Sequence, residues 1–441
     1  MSHTASLGLP TGLEAVVIAY LERQSWYQSS IRERHHGSAA ARGERSCGAG
    51  PAVVESELLV AGRPGLARVE LADTDGRYQV IVGWRDPVDA AVALRGQDAP
   101  LLGGLEDTAG PVVAYEALAD EELCLTLLNI VTRGEVVAKR ARHVSSLISH
   151  ASLVYDERLF MKCYRVLEPA PRPEVELTLR LDDVGFNHLL APVALWRVGG
   201  YDLAFVREFL PEALEGRALA LTSLRDLLAT DDDSGDSELA CESAGGDLAE
   251  EMRRLGETTA RLHLCLAEAF GERPGDPRAW AEEVARSAPA TPGLSRELGA
   301  IQGAGSSIRL HGDYHLRRVM RTDTGWIVAG FGDDPSRAAG RGVVEGSPVE
   351  DLADMCFALV DVAREAALSR SDRDPRAVEA LASSWVSRNR GAFLEGYVGA
   401  AGVAALLPKD PGVLEGLLSI FGQVRAERAR RSAVTAGLPS R

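Results

Sequence analysis

Leu310-His311-Gly312-Asp313-Tyr314-His315 is the stretch on which the reading of this chain turns. It lies in a loop between two short apolar strands, inside a strand–loop–strand unit covering Ile308–Met320 and Trp326–Ala329. A loop carboxylate such as Asp313 accepts a proton from a hydroxyl, which is the task of the base in a phosphoryl transfer. The competing structural reading makes Asp313 the cap of a neighbouring helix. His311 is expected to brace the loop, so Asp313 and His311 are the candidate catalytic residues. With His315 they form a trio like that of a metallohydrolase, but the other histidines are scattered and offer no partner segment.

Working outward, Lys162 sits on the strand Arg158–Tyr164, and Glu176 follows on the helix Glu174–Val184, which begins after Pro173. A strand lysine, a helix glutamate and a distant His-x-Asp loop is the order in which a kinase-like fold holds nucleotide phosphates and places its base. A surface lysine is the plain alternative. The apolar neighbours Phe160-Met161 and Cys163 argue for a buried strand instead. No Gly-x-Ser-x-Gly elbow occurs, and the Gly-rich Gln302–Ser307 lacks the lysine of a P-loop.

The remaining pattern is strands first and helices later. Leu13–Tyr27 reads as a helix and Glu33–Pro51 as a loop, followed by strands Val53–Val60, Leu66–Leu71 and Tyr78–Val82. Leu123–Val131 fits either helix or strand. Asp156-Glu157 closes a hairpin between Ser152–Tyr155 and Arg158–Tyr164, and Gly199-Gly200 joins Leu190–Val198 to Asp202–Phe209. Beyond Leu210-Pro211 come an acidic loop around Asp231–Asp233 and the amphipathic helix Leu248–Ala269. Further helices follow at Trp280–Ser287, Leu294–Ile301, Pro348–Arg370, Arg376–Arg388, Arg390–Tyr397 and Leu417–Arg431. This is an α+β pattern that matches a two-lobed kinase layout.

The chain has 441 residues, enough for several compact units, and 48 Lys+Arg against 64 Asp+Glu give a net charge of −16. That balance argues against nucleic acid or an anionic membrane as the main partner. The longest apolar run, Tyr397–Leu407, is too short to span a bilayer, and Met1–Thr11 lacks the pattern of a secretory signal. Six scattered cysteines without a C-x-x-C pair fit reduced thiols of a cytoplasmic protein.

Several segments, taken in order, resemble the maltokinases, a branch of the aminoglycoside-phosphotransferase-like kinases. Glu22-Arg23-Gln24-Ser25-Trp26-Tyr27 resembles a segment of their N-terminal cap, and Ser149–Tyr155 their loop over the nucleotide. Lys162–Glu176 resembles the nucleotide-binding strand and helix, and Val206–Pro211 the link between lobes. Arg254–Thr259 with Leu262-His263 resembles the long C-lobe helix, and His311–Leu316 and Ser347–Asp351 complete the set. The resemblance implies a two-lobed protein-kinase-like fold with an N-terminal α/β cap. It would place a cap at 1–105, a strand-rich nucleotide lobe at 106–222, a helical C-lobe at 223–425 and a disordered basic tail at 426–441. It also implies Lys162, Glu176, Ser149 and Ser152 at ATP, and Asp313 as base. The product would be maltose 1-phosphate, made with Mg²⁺ and feeding α-glucan synthesis, with a trehalose synthase as partner in some members.

The departures from the family fall on the metal site. Where the family has Gln and Asp, this chain has Arg318 and Gly330. Arginine is a fixed cation with donors only, and glycine has no side chain, whereas Mg²⁺ takes hard oxygen ligands. No metal ligand is therefore assigned, and the expectation is a catalytically impaired homologue that binds a sugar, glucan, nucleotide or partner enzyme. The alternative is an active maltokinase or related sugar kinase with a shifted metal site at Asp333 or Asp334.

Overall fold

A computed structural model describes residues 8–29, 50–96, 101–146, 149–229, 247–331, 345–370 and 374–435, without the side chains of 145–146 and 432–435. The expected loop at Glu33–Pro51 (all but its last two residues), the acidic loop around Asp231–Asp233, and Asp333 and Asp334 lie outside the described residues. Contacts group the chain into two units. One is Met1–Arg172 with Ala191–Pro211, and the other is Pro173–Leu190 with Glu212–Arg441.

The first unit is built on two antiparallel sheets. In one, strands β1 (Ala52–Val60), β2 (Gly65–Ala72), β3 (Arg77–Arg85), β4 (Leu101–Asp107) and β5 (Gly110–Glu116) run in the order β1-β2-β3-β5-β4, and β9 (Val166–Leu167) also pairs with β3. The period of two sorts β2 cleanly. Ala67, Val69 and Leu71 pack with Leu13, Val17 and Tyr20 of helix α1 (Leu13–Arg23), while Leu66 joins the opposite core with Leu123 and Leu127. A short helix α2 (Pro87–Ala93) follows β3. Leu123 and Leu127 belong to helix α3 (Glu121–Val131), so the segment left open between helix and strand is helical. Asp120 caps it by accepting from the Glu122 and Leu123 amides. The helix expected over Leu13–Tyr27 breaks at Gln24, whose backbone is extended, and 25–29 is again helical.

The second sheet runs β10-β11-β8-β7-β6, from β6 (Ala141–Ser146), β7 (His150–Tyr155), β8 (Leu159–Tyr164), β10 (Pro192–Val198) and β11 (Tyr201–Glu208). Both expected hairpins are present. Asp156 and Glu157 have φ of 49° and 52°, a left-handed pair that turns the chain tightly, and with Arg158 they make three residues between the paired Tyr155 and Leu159 where the sequence predicts a two-residue turn.

The second unit is mostly helical: α4 (Pro173–Asp183), α5 (Gly216–Ala229), α6 (Ala249–Phe270), α7 (Pro277–Ser287), α8 (Pro292–Ala300), α9 (Pro348–Leu368), α10 (Pro375–Gly399) and α11 (Pro411–Thr435). Short strands β12 (Leu214–Glu215), β15 (Val319–Thr322) and β16 (Gly325–Val328) form one ribbon, and β13 (Arg273–Pro274), β14 (Ser306–Arg309) and β17 (Glu345–Gly346) another. Helix α6 buries Met252, Leu255, Thr259, Leu262 and Leu266, a stripe at helical spacing. Each fully buried leucine there contributes about 2 kcal/mol. Helices α6 and α10 touch through glycines. A Cβ on Gly256 would lie 2.1 Å from the Phe393 carbonyl oxygen, and one on Gly396 2.0 Å from that of Arg253.

Some expected boundaries shift. Residue 105 falls inside β4, 222 inside α5 and 425 inside α11, so none of these positions separates units. Arg376–Arg388 and Arg390–Tyr397 form a single helix, α10. The tail expected to be disordered from 426 is helical to Thr435. Its buried Arg428 explains this, donating to Glu350 Oε1 at 2.9 Å and Ser287 Oγ at 2.8 Å. The described cysteines Cys124, Cys163, Cys265 and Cys356 are free thiols. Among the described residues no helix is long and apolar enough to cross a membrane.

Candidate active site

Strand β14 leads directly into the His311–Leu316 loop, and the chain leaves it through a 3₁₀ turn, Leu316–Arg318, into β15. Gly312 takes a φ of 87°, a left-handed conformation that glycine adopts without strain. The β15–β16 hairpin pairs Val319 with Val328, and the Ala329 amide donates to the Arg318 carbonyl at 2.8 Å. This register brings positions 318 and 330 side by side.

The inner wall of the loop is a buried hydrogen-bond chain. Asp351, in the first turn of α9, accepts from the His311 amide at 2.9 Å and the Gly312 amide at 3.4 Å. His263 Nε2 lies 3.3 Å from the same carboxylate, and its Nδ1 is 2.8 Å from the Tyr397 hydroxyl. A carboxylate only accepts, so Nε2 carries the proton and Nδ1 accepts from Tyr397. His311 is fixed in the same way. Its Nε2 donates to the Ala329 carbonyl at 3.1 Å, and its Nδ1 accepts from the Asp313 amide at 3.3 Å. Burial lowers the His311 pKa to about 4 despite the nearby carboxylates Asp351 and Asp313. A neutral imidazole with both nitrogens engaged is a brace.

Asp313 itself is nearly buried. Its Oδ2 accepts from Arg318 Nε at 2.9 Å and Nη2 at 2.6 Å, and its Oδ1 lies 3.3 Å from His315 Nε2. Burial pushes this carboxyl up. The hydrogen bond from His315 and the charge of Arg318 prevail and hold it well below the usual carboxylate range. Gly330 has a φ of 71°, and a Cβ there would lie 2.7 Å from Arg318 Nη1 and 2.8 Å from its Cδ. The arginine side chain fills the space that any side chain at 330 would enter.

Positions 318 and 330, where the resemblance implies Mg²⁺ ligands, present no side-chain oxygen. A guanidinium occupies the place beside Asp313, position 330 offers no oxygen side chain, and hard cations take neither. Among the described residues no group of three or more His, Cys, Asp or Glu is placed to hold a metal ion.

The candidate nucleotide residues are distributed over both units. Ser152 and Lys162 are partners across the β7–β8 ladder in the first unit, and both are buried. Ser149 lies just before β7, with its Oγ 2.9 Å from His150 Nδ1 and its carbonyl accepting from the Arg165 amide. Glu176 belongs to the second unit, on α4, where its Oε2 is 3.7 Å from Arg309 of β14. Sequence reading missed Arg309, a buried guanidinium over the Phe270 ring, because an arginine in a short strand looks like a surface residue. It named Asp351 only as the end of the Ser347–Asp351 segment and as a neighbourhood for sugar specificity, not as the acceptor that holds the loop, although Ser347-Pro348 marks a capped helix start that places this carboxylate in a first turn.

No protein-family model matches the sequence. An alignment 217 residues long, covering 44% of this chain, shows 29% identity to a glucosamine kinase of Streptacidiphilus jiangxiensis. It spans 46% of that protein, so the chain matches less than half the length of this curated relative. A solved glucosamine kinase in complex with glucosamine, ADP and inorganic phosphate superposes with a TM-score of 0.61 at 20% identity, over 92% of this chain and 95% of that one. A second crystal form of a glucosamine kinase gives 0.59 at 20% identity, over 91% and 92%. The likeness shows the fold: mixed α+β, of the kinase-like type.

Proposed function

We propose that this chain is a sugar-kinase-like phosphotransferase homologue in which metal-dependent transfer is impaired, and that it binds a small sugar without efficient turnover. The observation that carries the reading is the Arg318–Asp313 pair, with the arginine filling the space beside Gly330. A base whose Oδ2 holds two N–H donors and whose pKa is held down is a weak proton acceptor. A metal ion at a transferring phosphoryl group supplies several kcal/mol, and each ~1.4 kcal/mol is tenfold in rate. Replacing its ligands by Arg318 and Gly330 therefore costs several decades of rate.

Within this reading Lys162, Ser149 and Ser152 serve the nucleotide and Glu176 supports that site. ATP is the implied nucleotide, supported by the ADP held by the structural relative. Glucosamine, named for the relatives, and maltose, implied by the resemblance, are the first sugars to test. A trehalose-synthase-type partner rests on the resemblance alone. A second reading, an active sugar kinase with its metal at Asp333 or Asp334, draws on the complete brace around His311 and Asp351.

The test is transfer of labelled phosphate from ATP to glucosamine and to maltose, with and without Mg²⁺, beside Asp313→Ala. Product no greater than that of the Asp313→Ala control is expected. Product that needs both Mg²⁺ and Asp313 would sink the impaired reading and make Asp333→Ala and Asp334→Ala the next variants.

A further inference from the structure

The second unit holds a cavity of about 210 Å³ next to the loop just described. His315 connects the two, since it lines the cavity and its Nε2 lies 3.3 Å from Asp313 Oδ1. The other polar walls come from Arg317 of the 3₁₀ turn, Asp354 and Asp361 of α9, Arg425 of α11 and Arg217 of α5, and Phe357 adds an aromatic wall.

The three arginines differ in how their donors are used. Arg217 is held by a close hydrogen bond to Glu365, with Asp361 at 3.9 Å. Arg425 is four-fifths buried, yet its Nε has no hydrogen-bond partner among the described residues, and its ion pair with Asp354 is 3.9 Å long. Arg317 is 3.7 Å from Glu215, too far for a hydrogen bond. A shielded guanidinium has five N–H donors to satisfy, and leaving them unmet is costly. Two guanidinium groups with donors to offer, on one small cavity, form a fork for a planar or tetrahedral oxyanion.

We propose that this cavity takes a small sugar bearing an anionic group, a phosphate or a carboxylate, with Arg425 and Arg317 as the anchors of that group. Asp354 and Asp361 then accept from the sugar hydroxyls, and Phe357 lies against the C–H face of the ring. Three guanidinium groups and two carboxylates line the cavity, and Glu365 and Glu215 pair with Arg217 and Arg317, which leaves Arg425 the shielded cation whose Nε lacks a hydrogen-bond partner among the described residues. An ammonium in place of the anionic group would face the guanidinium groups of Arg425 and Arg317 and is disfavoured there. This rests on the small-sugar reading above and narrows its substrate class.

The experiment is calorimetric titration of the full chain with glucose 6-phosphate, glucuronate, glucose, glucosamine and inorganic phosphate. Binding of glucose 6-phosphate or glucuronate at least about tenfold tighter than glucose and glucosamine is expected, and the tighter of the two identifies the anionic group. Arg425→Gln should lose about tenfold or more of that affinity with glucose binding unchanged, and Arg425→Lys should recover part of it. Should Arg425→Gln unfold, Arg317→Gln, on an exposed turn, reads the same preference. Glucose binding as tightly as the anionic sugars overturns the anion assignment and leaves the sugar reading standing. Inorganic phosphate binding as tightly as glucose 6-phosphate overturns the sugar part. No binding of any of these sugars overturns both.

Discussion

The two sides of Asp313 are built on opposite plans. On the inner side, Asp351, His263, Tyr397 and His311 form a buried chain in which each nitrogen and oxygen has an assigned partner. On the outer side, one flexible arginine fills the space beside Gly330 and clamps the carboxylate. The inner side fixes where the loop runs, and the outer side decides what charge Asp313 faces. The difference teaches that fixing the path of the loop and setting the charge beside its carboxylate are separable: the first rests on buried hydrogen bonds and the second on a single arginine.

The inner side should carry the stability, and Asp351→Ala is the hardest test. The substitution strands the His311 and Gly312 amides and leaves His263 buried without its acceptor. Breaking a buried charged network in this way costs about 3–5 kcal/mol. Urea unfolding measures it. A loss below about 1 kcal/mol would mean that the loop does not depend on its inner wall.

Acid should erode the same side next. Burial lowers the His311 pKa to about 4, whereas the imidazole of an unfolded chain titrates near ~6.5. Between these values the unfolded chain binds a proton that the native state refuses, so stability is full above ~6.5 and falls as the pH drops toward 4. The loss amounts to about 3 kcal/mol. Asp351, held below the usual carboxylate range by His263 against the pull of burial, adds its loss only below pH ~4. His311→Gln, which can still donate to Ala329, should flatten the slope between pH 6.5 and 4. An unchanged slope would place the acid sensitivity elsewhere.

Much of this contrast was legible in the sequence, and what was missed was missed for physical reasons. Hairpins announce themselves through local turn chemistry, as at Asp156-Glu157 and Gly199-Gly200. The α6 stripe shows through its period. The substitutions at 318 and 330 were also visible, one position at a time. Their mutual fit was not, because it depends on the β15–β16 register that sets the two side by side. The ordered end of α11 was hidden for a related reason. A basic tail reads as solvated until Glu350 and Ser287, distant in sequence, are seen to hold Arg428.

That mutual fit predicts non-additivity of intermediate size. Gly330→Asp alone puts a side chain at a φ of 71° and drives its Cβ against Arg318, costing about 1–2 kcal/mol. Arg318→Gln alone removes the clamp from Asp313. Combined, the shorter glutamine makes room, and the double variant should be about 1–2 kcal/mol more stable than the sum of the single effects. It also returns two oxygen-bearing side chains, so Mg²⁺ titration should detect binding in the double variant and none in the parent. Effects that add within about 0.5 kcal/mol would show that positions 318 and 330 are not a matched pair.

The smallest effect separates the hydrogen bonds that aim the loop from those that only fill its surroundings. Tyr314 is fully buried in the second unit's core, and its hydroxyl lies 2.7 Å from Thr259 Oγ1, which also donates to the Leu255 carbonyl at 2.7 Å. Since that donation uses the threonine proton, Tyr314 is the donor and Thr259 the acceptor. Tyr314→Phe deletes the donor but leaves Thr259 bonded to Leu255 and the ring packed as before. No buried proton is left without an acceptor, so the cost should be about 1 kcal/mol. The environment of Asp313, set by Arg318 and His315, should be untouched, and sugar binding should match the parent. A loss comparable with that of Asp351→Ala would mean that the Tyr314–Thr259 contact belongs to the inner wall itself, and the wall would have to be redrawn to include α6 at Thr259.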